Sequence, residues 1–259
     1  FMLKVQAIPA LMDNYIWLIQ AVDSQEVLIV DPGEAEPVIK VLTEQQLKPV
    51  AILNTHYHHD HVDGISPLVE QYQLPVFGPE NAFIPKITNT LTAAQNVTIQ
   101  PSFPDFEILN IPGHTAIHIA YLIHGMLFCG DTLFAGGCGK LLGGTAKQLY
   151  QSLQQLKTLP KDTQIFCSHE YTLTNLQFAL LVEPNNPAIK ARIEDVKTLR
   201  KQDKVSLPTT LKLELETNPF LRCEQPDVIH SAQQFAGAEL TSPVMVFTAL
   251  RAWRDRFWF

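Results

Sequence analysis

Basic side chains are the scarcer kind of charge: 19 Lys and Arg stand against 26 Asp and Glu, for a net charge of −7. A nucleic-acid partner is therefore not expected, because phosphate binding needs a basic face. A small anionic ligand needs only a local cluster of cations and stays open. Cysteine is also sparse. Cys129, Cys138, Cys167 and Cys223 show no CxxC spacing, which argues against a disulfide framework and for free thiols in a reducing compartment, so a cytoplasmic location is expected. No apolar run approaches the ~18 residues a membrane span needs. No basic stretch leads into an apolar one at the N-terminus, so neither an anchor nor a signal peptide is expected. Internal repeats and low-complexity tracts are missing too. Apolar residues are plentiful, at 46% of 259 residues, enough for one large domain or a main domain with a smaller one.

The first part of the chain has the texture of short strands and turns. Leu3 to Ile8, Tyr15 to Ala21 and Glu26 to Asp31 are rich in Val, Ile and Leu and end in turn residues, among them Asp31-Pro32-Gly33. Glu34 to Gln46 carries helical apolar spacing through Val38, Val41 and Leu42. Val50 to Leu53 reads as a buried strand, and shorter strands are expected at Val76-Phe77, Val97 to Ile99, Phe106 to Ile111, His118 to Ile123 and Met126 to Cys129. Thr145 with Gln148 forms a capping box opening a helix, and Gln164 to Cys167 reads as a last buried strand. Beyond Tyr171 the pattern turns helical: Leu173 to Val182, Pro187 to Lys201, Asp227 to Phe235 and Ser242 to Trp258. The expected division is 1–170 and a smaller, mostly helical 171–259.

Chemistry concentrates in Thr55-His56-Tyr57-His58-His59-Asp60-His61, directly after the strand at Val50 to Leu53. Imidazole and carboxylate in this density suit zinc, iron or manganese. A loop there lets residues two apart face one ion while the next pair turns to another. Three further candidates follow apolar runs: His114 in Gly113-His114-Thr115, Asp131 in Gly130-Asp131-Thr132, and His169 in Ser168-His169-Glu170. Each alone reads more simply as a structural histidine or a turn aspartate; the force lies in the ordered set. Asp31 at a strand end is expected in a supporting or turn role, His118 at most as a supporting histidine, and Cys129 as a buried structural thiol.

This order, H-x-H-x-D-H followed by His, Asp and His, resembles the metallo-β-lactamase superfamily. The resemblance implies an α/β fold, an αββα sandwich, with a smaller C-terminal helical domain. It also implies two divalent transition-metal ions, zinc before iron or manganese. His56, His58 and His114 are then ligands of the first and Asp60, His61 and His169 of the second, with Asp131 bridging; Asp60 and Asp131 are the catalytic carboxylates. Metal ions bring a water's pKa from about 15.7 toward about 7, so no Ser or Cys nucleophile is needed.

Gly136-Gly137-Cys138-Gly139-Lys140, Ser168 to Thr172 and Thr217 to Arg222 narrow the likeness to the hydroxyacylglutathione hydrolases, also called glyoxalase II, over nearly the whole chain. That resemblance implies hydrolysis of the thioester S-D-lactoylglutathione to D-lactate and glutathione, by a hydroxide shared between the ions, as the second step of methylglyoxal detoxification. It implies glutathione contacts from Lys140, Tyr171, Arg251 and Arg254, the two arginines sharing a helix face, and a monomer whose partner is a small molecule. Two positions depart from the family pattern: Ile117 where a glycine is usual, and Leu142 where an aromatic often stands. The competing reading is another hydrolase of the same superfamily, a lactonase or a different thioesterase.

Overall fold

A computed structural model describes residues 2–92 and 96–257. The chain divides into two compact units, one of residues 1–110 with 117–130, the other of 111–116 with 131–259.

In the first unit a sheet of six strands runs in sequence order: β1 (Leu3–Ala10), β2 (Asn14–Ala21), β3 (Glu26–Val30), β4 (Lys48–Leu53), β5 (Val76–Gly78) and β6 (Asn89–Thr90). The first three are antiparallel and β3 to β6 are parallel, so crossovers are needed. Helix α1 (Glu36–Glu44) links β3 to β4, and α2 (His59–Val62) with α3 (Ile65–Tyr72) links β4 to β5. The buried side chains Val38 and Leu42 of α1 and Ile65 and Leu68 of α3 share one apolar cluster with Ile16, Leu18, Val27, Ile29 and Ile52. These strand residues are of one parity; the other parity, with Trp17, Ile19, Leu28, Ala51 and Leu53, is buried as well. Both faces of the sheet are therefore covered, which is why these strands read as near-continuous apolar runs.

A second, antiparallel set completes the unit: β7 (Asn96–Val97), β8 (Phe106–Asn110), β9 (Ile119–Ile123) and β10 (Met126–Gly130). Fully buried Tyr121 on β9 ties the two sheets: its hydroxyl lies 2.8 Å from the Asn54 carbonyl and 3.2 Å from that of Phe77. Burial pushes this phenol's pKa well up, so the hydroxyl keeps the proton it donates.

The second unit holds the hairpin β11 (Leu133–Phe134) with β12 (Gly137–Cys138), helix α4 (Ala146–Lys157) and strand β13 (Gln164–Cys167), which pairs antiparallel with β14 (Thr209–Thr210). Helices α5 (Thr172–Val182), α6 (Pro187–Lys201), α7 (Leu211–Thr217), α8 (Pro226–Ala236) and α9 (Pro243–Asp255) follow. The capping box at Thr145 and Gln148 forms as expected. Helix α6 begins at Pro187, behind the Asn186 side chain that caps it. Helix α9 starts after Ser242 and ends at Asp255; Trp258, the expected last residue of that helix, lies outside the described residues. Among the described residues no helix is long and apolar enough to cross a membrane.

Candidate metal centre

In the first unit the ligand candidates follow the C-terminal end of β4. His56 and His58 lie on extended chain, their Nε2 and Nδ1 atoms 3.1 Å apart. The loop expected for the whole cluster is only half right: His59–Val62 winds into one helical turn that carries Asp60 and His61. His61 Nε2 stands 3.4 Å from Asp60 Oδ2. The run therefore splits into two donor pairs, the first on extended chain and the second on the helical turn.

One carboxylate aims both pairs. Asp31 sits at the end of β3 with φ 50°, a left-handed conformation that Asp tolerates better than bulkier residues. Its Oδ1 accepts from the Thr55 amide at 2.7 Å and the Asn54 side chain at 3.1 Å. Its Oδ2 accepts from Thr55 Oγ1 at 2.7 Å and from His61 Nδ1 at 3.1 Å. With its own proton given to Asp31, Thr55 Oγ1 accepts from His56 Nδ1 at 3.0 Å. Both imidazoles are thus protonated at Nδ1 and present a bare Nε2, the form a metal ion takes up. Asp60 is steadied separately, its Oδ2 accepting from Asn14 Nδ2 at 2.9 Å. His118, buried, stacks on His56 with centroids 4.5 Å apart and planes at 18°. His59, by contrast, is exposed and pairs with Asp63.

The second unit brings the other three candidates together. Asp131 Oδ2 lies 3.5 Å from His114 Nε2 and 3.4 Å from His169 Nε2. His114 Nδ1 is 2.7 Å from the Lys140 carbonyl, so this ring too carries its proton on Nδ1 and turns Nε2 to the carboxylate. Tyr171 lies flat on His169, centroids 4.6 Å apart and planes at 4°, with the edge of Phe134 against both. Two imidazole nitrogens thus converge on one carboxylate oxygen, all three side chains nearly buried. Bare Nε2 atoms and carboxylates in both units, with no thiolate among them, fit divalent metal ions.

Of the residues expected to meet substrate, Lys140 is exposed, and Tyr171 and Arg254 are half-buried. Burial, and after it the neighbouring Arg251, lowers the Arg254 pKa from its usual value. Arg251 is buried and directs its guanidinium at the carbonyls of Cys138 and Gly139, at 2.8 and 3.2 Å. Burial drives the Cys138 thiol up to about 11 and all four cysteines are free and buried. Leu142 is exposed, and its amide bonds the His114 carbonyl at 2.8 Å, so the departure from an aromatic leaves the backbone contact in place.

The loop between β12 and α4 leaves no room for a side chain at Gly139. A β-carbon there would stand 2.0 Å from the Asp131 carbonyl oxygen and 3.0 Å from His114 Nδ1. Gly139→Ala is expected to cost about 1–3 kcal/mol of stability through overpacking and to push the Lys140 carbonyl off His114. Thermal melts and metal uptake of the variant check this; wild-type values for both would show that the loop yields without consequence.

Local sequence pattern does not single out Asn14, Thr55 or Asn54 as supports. Thr55 was in plain view beside His56. Asn14 lies 46 residues from the Asp60 it holds, and no local pattern marks such a pair.

Residues 11–169 match the metallo-beta-lactamase superfamily and residues 170–257 match the family described as hydroxyacylglutathione hydrolase C-terminus. A hydroxyacylglutathione hydrolase of Nitrosomonas eutropha is 47% identical over 256 residues, spanning 99% of this chain and all of its own. One of Photobacterium profundum is 48% identical over 258 residues, with 99% and 100% covered. Among solved structures, TTHA1623 in a di-iron-bound form is similar with a TM-score of 0.60 and 26% identity, over 83% of this chain and 98% of its own. Matched from end to end by sequence and built on the same fold, the chain belongs to the hydroxyacylglutathione hydrolases of the metallo-β-lactamase superfamily.

Proposed function

We propose that this protein hydrolyses S-D-lactoylglutathione to D-lactate and glutathione, with His56, His58 and His114 holding one metal ion, Asp60, His61 and His169 a second, and Asp131 serving both. The observation that carries the reading is Asp131 Oδ2 within 3.5 Å of two Nε2 atoms, those of His114 and His169, in a chain related over its whole length to hydroxyacylglutathione hydrolases. Two bound ions supply a nucleophile at neutral pH and polarise the thioester carbonyl. The chain's own task is to aim the ligands and seat the glutathione.

Residues 1–170 are assigned the ligand set together with Lys140 of the glutathione end, and 171–259 the rest of that end. Lys140, Tyr171 and Arg254 meet the carboxylates and backbone of the tripeptide, and Arg251 supports them from within α9. Zinc is the assigned metal, on its affinity for nitrogen and oxygen donors. The protein works as a cytoplasmic monomer on a small molecule. The match of 170–257 to the C-terminal region of these hydrolases favours this substrate over a lactone or another thioester.

One preparation tests the whole reading. Elemental analysis is expected to find zinc at two equivalents per chain, and kcat/KM for S-D-lactoylglutathione to exceed that for lactones and β-lactams. A lactone preferred over the thioester would refute the substrate; a folded sample that takes up no transition metal would refute the centre. Gel filtration checks the monomer.

Asp31 gives a second test. Because it sets the tautomers of both His56 and His61, Asp31→Ala is expected to weaken metal affinity roughly 10–100-fold, the usual cost of losing a ligand's supporting partner. Competition with a chromophoric chelator measures it, and an unchanged affinity would remove Asp31 from the centre.

A further inference from the structure

We propose that Arg251 is a positioning residue for the metal ligand His114, acting through the backbone of residues 138–140; this rests on the metal centre proposed above. The two arginines of α9 differ in what they touch. Arg254 reaches the Asn175 side chain and the Phe257 carbonyl, each at 3.4 Å, and lies over the Phe178 and Phe257 rings. Arg251 is 3% exposed. Its Nη1 donates to two successive carbonyls, Cys138 at 2.8 Å and Gly139 at 3.2 Å. Its Nη2 donates to Asp255 Oδ1 at 2.9 Å, and its guanidinium lies 5.3 Å from the Phe220 ring centre.

The next residue of that loop is Lys140, whose carbonyl accepts from His114 Nδ1 at 2.7 Å. The same loop is stitched to the turn that carries Asp131 as well: the Gly139 amide donates to the Thr132 carbonyl at 3.2 Å, one residue past Asp131. So a short covalent path leads from the carbonyls Arg251 grips to the carbonyl that fixes the proton of His114. Adjacent carbonyls facing the same way repel one another, and the cation holds them so. Without it both are left buried and short of a donor, and the loop is free to rotate them toward other partners. A Lys140 carbonyl that swings away releases the His114 ring, and Nε2 no longer faces Asp131 Oδ2. The buried Arg251 thus serves the metal ligand, while Arg254 is left to the substrate.

Arg251→Ala, Arg251→Lys and Arg254→Ala separate these roles in the full-length protein, first stripped of metal by chelation and then titrated with Co(II), whose visible bands report ligand geometry. Arg251→Ala is expected to bind one of two Co(II) ions about tenfold more weakly, the low end for a support one step removed from the ligand, and with an altered band. Arg251→Lys, which keeps one cationic donor, falls between it and wild type. In kinetics kcat drops more than KM rises for Arg251→Ala, whereas Arg254→Ala keeps wild-type Co(II) binding and raises KM. In 15N-histidine spectra of the metal-free protein, the His114 Nδ1–H signal is expected to broaden in both Arg251 variants and persist in Arg254→Ala.

Wild-type Co(II) affinity and spectrum in Arg251→Ala, with only KM raised, would overturn the proposal and return Arg251 to direct substrate contact. Should Arg251→Ala fail to fold, Arg251→Lys carries the same comparison. Should wild type bind no Co(II), the metal centre fails, and an unmoved His114 signal in the Arg251 variants would refute the positioning role on its own.

Discussion

Asp131→Ala is expected to lower kcat/KM for S-D-lactoylglutathione by more than about 100-fold, beyond the roughly 10–100-fold cost of losing a partner that merely supports a ligand. The reason is its place in the constellation. In the proposed assignment every other ligand serves one ion, whereas Asp131 serves both, its Oδ2 lying 3.5 Å from His114 Nε2 and 3.4 Å from His169 Nε2. Its removal withdraws a donor from both sets and leaves two imidazoles facing each other across a gap. The proposed glutathione contacts come from other side chains: that of Arg254 reaches Asn175 and the Phe257 carbonyl, and Lys140 is exposed. Affinity for a non-hydrolysable S-alkyl glutathione, measured by calorimetry, should therefore stay within a few-fold of wild type while turnover collapses. Asp131→Asn keeps one carbonyl oxygen but loses the charge, and is expected to retain part of the metal and little of the rate. Wild-type turnover in either variant would contradict the bridging role.

The candidate ligands were legible in the sequence because they are dense and ordered, with imidazole or carboxylate at every position from His56 to His61 except Tyr57. Their supports were not, since each is an ordinary residue made important by distance. Asn14 reaches Asp60 across 46 residues and Asn218 reaches the Phe134 carbonyl across 84. The helical turn at His59–Val62 is four residues long, too short for periodicity to register. Helix α7 hides for a related reason: Leu211-Lys212-Leu213-Glu214-Leu215 alternates apolar and charged residues with the period of a strand. Thr210 decides otherwise by accepting from the Leu213 amide as a cap. For α9 the spacing of Arg251 and Arg254 predicts a shared face. It does not say that one is buried against the 138–139 carbonyls and the other half-exposed.

The largest stability loss is expected from Glu214→Ala, at a residue outside the candidate ligand set. Glu214 is fully buried on α7. Its Oε1 accepts from Arg192 Nη2 at 2.6 Å and Thr209 Oγ1 at 2.7 Å; its Oε2 accepts from the Gly136 amide at 2.8 Å and Asn218 Nδ2 at 3.0 Å. Asn218 in turn donates to the carbonyls of Phe134 and Gly137 at 3.2 and 2.9 Å, and Asn175 to that of Ala135 at 3.1 Å. The helices after residue 170 thus hold the β11–β12 hairpin by its backbone, and that hairpin leads into the loop at Gly139 and Lys140. Truncation leaves the Arg192 guanidinium, 5% exposed, without its counter-ion, a change that typically costs about 3–5 kcal/mol. Thr209 and Gly136 lose their acceptor at the same time. Urea unfolding should move to lower midpoints, and metal uptake should weaken with it because the hairpin loosens. Glu214→Gln preserves the shape and two acceptor lone pairs, so it should fall between. Pairing Glu214→Ala with Arg192→Met removes the stranded charge and should recover part of the loss. If the single variant melts like wild type, the hairpin is held by other means, and the link from the helical region to His114 loses its anchor.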